Sequence, residues 1–135
     1  MGQSRLYRAA PSFAVADVFE TAEYYRDVLG FRFDGVWGNP PSFVMLDRDD
    51  VRVMVKQVPP EALATPAAKR SSEQIDMYLY ATDVRALAHE LKTKGADIVE
   101  GPVDRQIYNG RELIVRDLNG LVICFGQLLD EHPDR

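Results

Sequence analysis

Few side chains in this 135-residue sequence are of the types that carry out covalent or metal chemistry. The chain has one cysteine, Cys124, and two histidines, His89 and His132. His89 lies in a predicted helix and His132 in a polar tail, and no Ser-His-Asp or Cys-His arrangement can be read from their spacing. Nucleotide-binding loops of the GxGxxG or Walker type are also absent from the sequence. No motif therefore indicates a nucleophilic or nucleotide-dependent reaction.

Two potentially reactive side chains lie within predicted apolar strands. Asp76 stands between two apolar residues, where burial of an unpaired carboxylate is costly. It is expected to receive a cationic or hydrogen-bonding ligand, to bind a metal, or to form an ion pair with Arg52, Lys56 or Arg111. Cys124 lies within "LVICFG" and is either a small buried residue or a thiol that faces a pocket.

Composition and charge limit the classes of partner. The formal net charge is −5, so the chain has no basic field that would attract nucleic acid or anionic lipid. No apolar run approaches the roughly 20 residues that a membrane-spanning helix needs. A single cysteine forms no internal disulfide, which is typical of a reducing compartment. We therefore expect a soluble cytoplasmic protein without nucleic-acid or membrane partners.

The helices that must position these residues have the same signals in both halves of the chain. Asp17 is a predicted N-cap before "VFETAEYYRDVLG", and Asp83 takes the same place before "VRALAHELKTKG". Gly30 and Gly95 follow the last periodic residues and are predicted to end the two helices. The two halves are therefore predicted to share one local fold.

Strand signals surround each predicted helix in the same order. One short apolar run precedes each helix, and further runs follow it, ending in the hairpins "SFVMLDRDDVRVMVKQ" and "RELIVRDLNGLVICFGQ". The sequence thus predicts two βαβββ modules, of about residues 7–58 and about residues 74–128. A proline-rich linker, residues 59–73, joins them in a single domain that spans residues 1–135.

This repeat, together with "DVFETAEYYRDVLGF" and "YNGRELIVRDLNG", resembles the vicinal oxygen chelate superfamily. That superfamily includes glyoxalase I, extradiol dioxygenases, fosfomycin-modifying thiol transferases and the bleomycin-resistance binding proteins. The resemblance extends over roughly residues 7–128. It implies an α+β fold in which tandem βαβββ modules form a cup-shaped, mostly antiparallel curved sheet with helices on the outside, usually in a homodimer.

Enzymes of that superfamily hold a divalent metal on the wall of the cup with His, Gln or Glu. The resemblance carries these places over to Ala10, Met54, Asp76 and Cys124. Ala10 and Met54 are not ligands for a hard cation. Asp76 and Cys124 remain as weak metal candidates, with Glu112 as a third. The resemblance therefore implies no resident metal or other cofactor, and a divalent ion in an atypical site is the alternative.

Aromatic and polar residues on the predicted wall and rim of the cup indicate a ligand site. Flat aromatic walls suit planar ligands, and Arg111 can bind a carboxylate or phosphate with two hydrogen bonds. Packing of Trp37 and Phe43 in a core or dimer interface, and pairing of Arg111 with Glu112 or Asp76, are the alternatives. The predicted ligand-binding residues are Trp37, Phe43, Met54, Asp76, Tyr78, Tyr108, Arg111 and Cys124.

Three functional hypotheses follow. The first is a metal-independent binding protein of the bleomycin-resistance type, which sequesters a partly aromatic small molecule in a concave pocket of a homodimer. Antibiotics are candidates for that molecule, and no bond is made or broken. The second is a lyase, isomerase or dioxygenase of the superfamily with an atypical metal site. The third is a scaffold or regulatory domain without a small ligand. Whether the chain is an enzyme stays open, with binding preferred.

Overall fold

A computed structural model describes residues 2–63 and 74–130. The described elements are β1 (Ser12–Val15), α1 (Val18–Asp27), β2 (Val36–Trp37), β3 (Phe43–Arg48), β4 (Val51–Gln57), a 3₁₀ turn (Pro60–Ala62), β5 (Met77–Tyr80), α2 (Val84–Thr93), β6 (Asp97–Arg105), β7 (Gly110–Arg116) and β8 (Val122–Leu128). Most of the predicted linker, residues 64–73, and the predicted tail residue His132 lie outside the described residues.

The strands form two open, four-stranded mixed sheets. The first sheet has the order β1-β4-β3-β2 and the second has the order β5-β8-β7-β6. The pairs β1–β4 and β5–β8 are parallel, and the other described pairs are antiparallel. The order β-α-β-β-β thus occurs twice, in a first unit (β1–β4 with α1) and a second unit (β5–β8 with α2). The predicted α+β class is confirmed.

Both helices begin where the sequence predicts; α2 ends directly before Gly95 with Lys94 as its C-cap, whereas α1 ends at Asp27, three residues before Gly30. The Asp17 carboxylate accepts from the Glu20 amide at 3.0 Å, and the Asp83 carboxylate accepts from the Ala86 amide at 3.0 Å. Gly30 and Gly95 follow the helices with φ of +77° and +88°, which favour glycine. Each helix has ten residues, and within residues 2–63 and 74–130 no helix is long and apolar enough to cross a membrane.

One hydrophobic core is shared by both units. It takes side chains from one face of each sheet and from both helices, for example Val55, Phe125, Ala22 and Leu91. Because strand side chains alternate, the other face of each sheet points away from this core. We call these the outward faces. The first includes Ser12, Ala14, Trp37, Phe43, Met45, Met54 and Lys56, and the second includes Tyr78, Tyr80, Glu112, Ile114, Val122, Cys124 and Gly126.

Polar contacts also join the two units. The Tyr25 hydroxyl in α1 donates to Asp117 Oδ2 at 2.7 Å, and both side chains are buried. Arg48, at the end of β3, donates to both carboxylate oxygens of Glu90 in α2, at 2.8 and 2.9 Å. These contacts fix the position of the two units, and therefore of their outward faces, relative to each other.

Candidate functional site

Glu112 is the centre of a polar cluster on the second outward face. It lies opposite Gly126 on β8 and is only 4% exposed. Its Oε2 accepts from the Tyr108 hydroxyl at 2.6 Å, and its Oε1 accepts from Arg105 Nε at 3.1 Å. Arg105 Nη2 also donates to Glu100 Oε1 at 3.0 Å. The Glu112 carboxylate on β7 is thus held in a fixed orientation by groups from β6 and from the loop between β6 and β7.

Two glycines make room for two tyrosines around this carboxylate. A Cβ at Gly126 would overlap the Tyr78 hydroxyl, and a Cβ at Gly110 would lie 2.8 Å from the Tyr108 ring. Without these side chains, Tyr78 crosses β8 and Tyr108 folds back over β7. The Tyr108 hydroxyl then hydrogen-bonds to Glu112, and the Tyr78 hydroxyl lies beside the same carboxylate. Here glycine is required by the close approach of a neighbouring side chain.

The electrostatics of the cluster favour an ionised Glu112. Burial acts to raise the pKa of Glu112, but hydrogen bonds from Tyr108, Tyr78 and Arg105 outweigh it, and the net shift lowers the pKa. Burial and the hydrogen bond to Glu112 raise the pKa of Tyr108 to about 12 and also raise that of Tyr78. At neutral pH the ionised Glu112 carboxylate therefore lies among the Arg105 guanidinium and two neutral phenols.

Cys124 lies beneath this cluster and is fully buried. It packs with Ile114, Val122 and Tyr78 in a small apolar group separate from the shared core. Burial, followed by the charge of Glu112, raises the pKa of the Cys124 thiol to about 12. A thiol in this state is protonated at neutral pH and is a poor nucleophile and a poor metal ligand.

Three other predicted residues lie on the first outward face. Trp37 and Phe43 are cross-strand partners, and their ring centroids lie 5.8 Å apart. Met54 lies on the same face, with Ser12 and Met45 as its neighbours on the adjacent strands. The structure therefore groups Trp37, Phe43 and Met54 on one sheet, and Tyr78, Tyr108 and Cys124 on the other.

Asp76 and Arg111 belong to neither group. Asp76 Oδ2 accepts from the Val122 amide at 2.8 Å, before the start of β5. Arg111 lies on the core-side face of β7, and its Nε donates to Asp104 at 2.8 Å.

Sequence reasoning missed Arg105, Glu100, Gly110 and Gly126 as members of the site. Two of the site's positions, Glu112 and Gly126, could be recognised in the sequence, because each interrupts the apolar run of its strand and the two strands pair directly. The same alternation separates Arg111 from Glu112, since adjacent residues of a strand point to opposite faces. Arg105 takes the place beside Glu112 that Arg111 does not reach.

The residues present do not fit the divalent metal that the superfamily's enzymes bind. Among residues 2–63 and 74–130, no three His, Cys, Asp or Glu side chains are placed to hold a metal ion together. The cross-strand neighbours on the two outward faces are Ser12 with Met54 and Tyr78 with Cys124. Most of these side chains end in a thioether, a thiol or a phenol, and a hard cation prefers carboxylate and carbonyl oxygens.

Known proteins share this architecture. The sequence profile of the Glyoxalase/Bleomycin resistance protein/Dioxygenase superfamily matches residues 8–125. No curated protein matches the chain. Solved structures that resemble it include TioX from Micromonospora sp. ML1, with a TM-score of 0.71 and 22% identity over 91% of this chain and 99% of that one.

Two further structures are similar at the level of the fold. Virulence protein STM3117 from Salmonella typhimurium has a TM-score of 0.65 and 24% identity, over 96% of this chain and 100% of that one. TnmS3, an antibiotic binding protein from Streptomyces sp. CB03234, has a TM-score of 0.64 and 19% identity, over 93% of this chain and 99% of that one. The profile match, over nearly the whole described chain, establishes the relationship: the protein belongs to the Glyoxalase/Bleomycin resistance protein/Dioxygenase superfamily.

Proposed function

We propose that the protein binds a partly aromatic small molecule without a metal, between the first outward face of one copy and the second outward face of another. The observation that carries this proposal is a pair of partly exposed aromatic contacts, one on each face. Trp37, which is 49% exposed, lies against Phe43, and Tyr80, which is 71% exposed, stacks edge-on against Tyr78 at 5.1 Å. Exposed aromatic rings on both faces are suited to hold a flat ligand between them.

The proposal requires a homodimer. In one chain both outward faces point away from the shared core, so neither closes over the other. A twofold-symmetric pair of copies would bring the first face of each against the second face of its partner, and would create two equivalent grooves. Each groove would then have aromatic walls from two copies.

The Glu112 cluster would supply the polar end of each groove. Ligand pockets are mostly apolar and use a few fixed polar groups to orient what they bind. Tyr108, which is partly exposed above the buried carboxylate, is held by its 2.6 Å hydrogen bond and would present a fixed phenol to the ligand. The similar fold of TnmS3, an antibiotic binding protein, supports antibiotics as the first ligand class to test.

Calorimetric titration with polycyclic aromatic antibiotics tests this function. We expect one ligand per chain, with an affinity that EDTA does not change. Trp37→Ala should weaken binding about tenfold, because an aromatic wall of this kind contributes on the order of 1 kcal/mol or more. Phe19→Ala is the matched control, since Phe19 is 50% exposed but lies on α1.

Two results would count against the proposal. One is an absence of binding to any compound of the panel at millimolar concentration. The other is a metal requirement: about one divalent ion per chain in elemental analysis, lost in Asp76→Ala, would favour a metal-dependent enzyme.

A further inference from the structure

A groove separates the two units on the side of the β3–β4 turn. Its volume is about 410 Å³, within the range of roughly 300–1,000 Å³ that ligand-sized clefts have. Leu79 and Phe125, which are cross-strand partners on the core-side face of the second sheet, line it together with Phe31 of the first unit. The floor of the groove is therefore an open end of the shared core, and it contains two aromatic rings.

The rim of this groove is acidic. Asp49 and Asp50 lie in the turn between β3 and β4, and Asp83 lies at the start of α2, so both units contribute carboxylates to one opening. Arg48 also lines the groove, but its guanidinium is paired with the Glu90 carboxylate through two hydrogen bonds. In the part of the chain that the structure describes, Asp50 and Asp83 have no ion-pair partner. Their negative charge is thus available to a ligand.

The start of α2, which borders the groove, does not offer a site for an anion. The Val84 amide donates to Gln127 Oε1 at 3.0 Å, and the Ala86 amide donates to Asp83 Oδ1 at 3.0 Å. These amides are therefore occupied by side chains of the protein itself, and Asp83 adds a negative charge at the helix end. An anion would be repelled by the rim carboxylates, whereas a cation would be attracted by them.

We propose that this groove binds a small arylalkyl amine, with its ring on the apolar floor and its ammonium group at the Asp50 and Asp83 carboxylates. Phe31 and Phe125 supply the rings against which a flat body packs. An ammonium group donates charge-assisted hydrogen bonds to carboxylates, and these are stronger than bonds between neutral groups. All of these residues belong to one chain, so the site needs no dimer and does not depend on the proposed function.

Nuclear magnetic resonance titration locates the amine on the protein. Phenethylamine is added at millimolar concentrations to isotope-labelled protein, and the backbone amide signals are followed. Those of Asp50 and Ala81, at the groove, should shift in a saturable manner, and those of Trp37 and Tyr108 should not. Saturable shifts at Trp37 and Tyr108 alone would place the amine at the outward faces, and an absence of saturable shifts would show that the groove does not bind it. Either result overturns the proposal.

Two related compounds test the requirement for a positive charge. Phenethyl alcohol has the same ring with a neutral hydroxyl group, and phenylacetate has the same ring with a negative charge. Both should bind at least about tenfold more weakly than phenethylamine, because the charge-assisted hydrogen bonds to the rim are lost. Equal affinities of the amine and the alcohol would show that the acidic rim does not select the ligand, and would overturn the proposal.

Paired variants test the two carboxylates. Asp50→Asn with Asp83→Asn removes two charges from the rim, and asparagine is accepted in tight turns and at helix N-caps, so the fold should be kept. The dissociation constant of phenethylamine should rise at least about tenfold. Asp34→Asn with Glu61→Gln removes two exposed charges that do not line the groove and should leave that constant unchanged. Equal dissociation constants for the two double variants would overturn the proposal.

Discussion

At the scale of single residues, Glu112 shows how a carboxylate is accommodated inside a sheet. Its two oxygens accept hydrogen bonds from Tyr108 and Arg105, and the Tyr78 hydroxyl, beside it, also acts to lower its pKa. A buried charge is costly unless it is paired and hydrogen-bonded, and here it is both. The consequence is a low pKa for Glu112, and this makes its contribution to stability dependent on pH.

Glu112→Gln should reduce the pH dependence of stability. Since the folded-state pKa of Glu112 is below its ordinary value of 4.5, its contribution is present above pH 4.5 and is lost as the pH falls through the folded pKa. The free energy of unfolding should fall by about 1–3 kcal/mol at pH 7 in the variant, with a smaller difference at pH 3. Urea unfolding at both pH values measures this, with the exposed Glu61→Gln as control. An equal loss at both pH values would contradict the ionised network.

Gly126→Ala should displace Tyr78 from Glu112. The added methyl group would overlap the Tyr78 hydroxyl, so the ring must move and its hydroxyl must leave its place beside Glu112. We expect a loss of about 1–3 kcal/mol in the free energy of unfolding, from overpacking and the lost contact. Gly35→Ala is the matched control because a Cβ there meets no atom within 4 Å. If the two variants are equally stable in denaturant titrations, the cluster is not packed as described.

At the scale of elements, the "DLNG" turn between β7 and β8 attaches the second unit to α1. Asp117 Oδ1 accepts from the amides of Asn119 and Leu121 at 2.8 and 2.9 Å, while Oδ2 accepts from Tyr25. Asn119 Nδ2 donates to Thr21 Oγ1 at 3.0 Å. One tight turn therefore orders its own backbone and anchors a helix of the other unit.

Tyr25→Phe should destabilise the protein, and more at pH 7 than at pH 5. Burial raises the pKa of Asp117, so stability falls as the pH rises from the unfolded-state pKa through the folded-state pKa. Removal of the tyrosine donor raises that pKa further and costs about 1–3 kcal/mol at pH 7. Thermal unfolding at the two pH values measures the effect. Tyr80→Phe, which removes an exposed hydroxyl, is the control and should change the melting temperature at neither pH. A loss in Tyr25→Phe that does not depend on pH would argue against a charged Asp117 at this contact.

At the scale of the whole molecule, the two units share one core and turn their other faces outward. Arg48 joins them with two hydrogen bonds to the oxygens of Glu90, and a third, to the Leu29 carbonyl of its own unit at 2.8 Å, holds the guanidinium in place. A bidentate guanidinium–carboxylate pair has a fixed geometry, which favours one orientation of the two units. The position of each outward face follows from that orientation.

Arg48→Met should weaken the junction. We expect a loss of about 1–3 kcal/mol in the free energy of unfolding at low salt, since a charge-assisted pair between two units is broken. The difference from the unaltered protein should shrink in 1 M salt, which screens partly exposed charges. Urea titrations at low salt and in 1 M salt measure the two differences in the free energy of unfolding. Arg26→Met removes the exposed Arg26–Asp27 pair within α1 and should leave stability unchanged. Equal effects of the two variants would show that the junction does not depend on Arg48.

The sequence by itself determined the local signals and the order of elements. Asp17 and Asp83 satisfy the first amides of their helices with their own carboxylates, and such caps depend only on residues three positions apart. Alternation likewise determined which face of β4 and of β8 packs in the core, and it placed Met54 and Cys124 on the opposite faces, away from the shared core. The internal repeat extended these local signals to two matching units.

The tertiary structure decided which side chains meet. Glu100 and Arg105 are five residues apart, a spacing that places them on opposite faces of a regular strand. Register shifts in β6 between Ile98 and Glu100 and between Glu100 and Val103 bring both to the second outward face. Arg105 therefore reaches Glu112, while Arg111 pairs with Asp104 on the other face. A bulge adds a residue without changing the composition of a strand, so this partnership depends on strand pairing that the linear sequence does not contain.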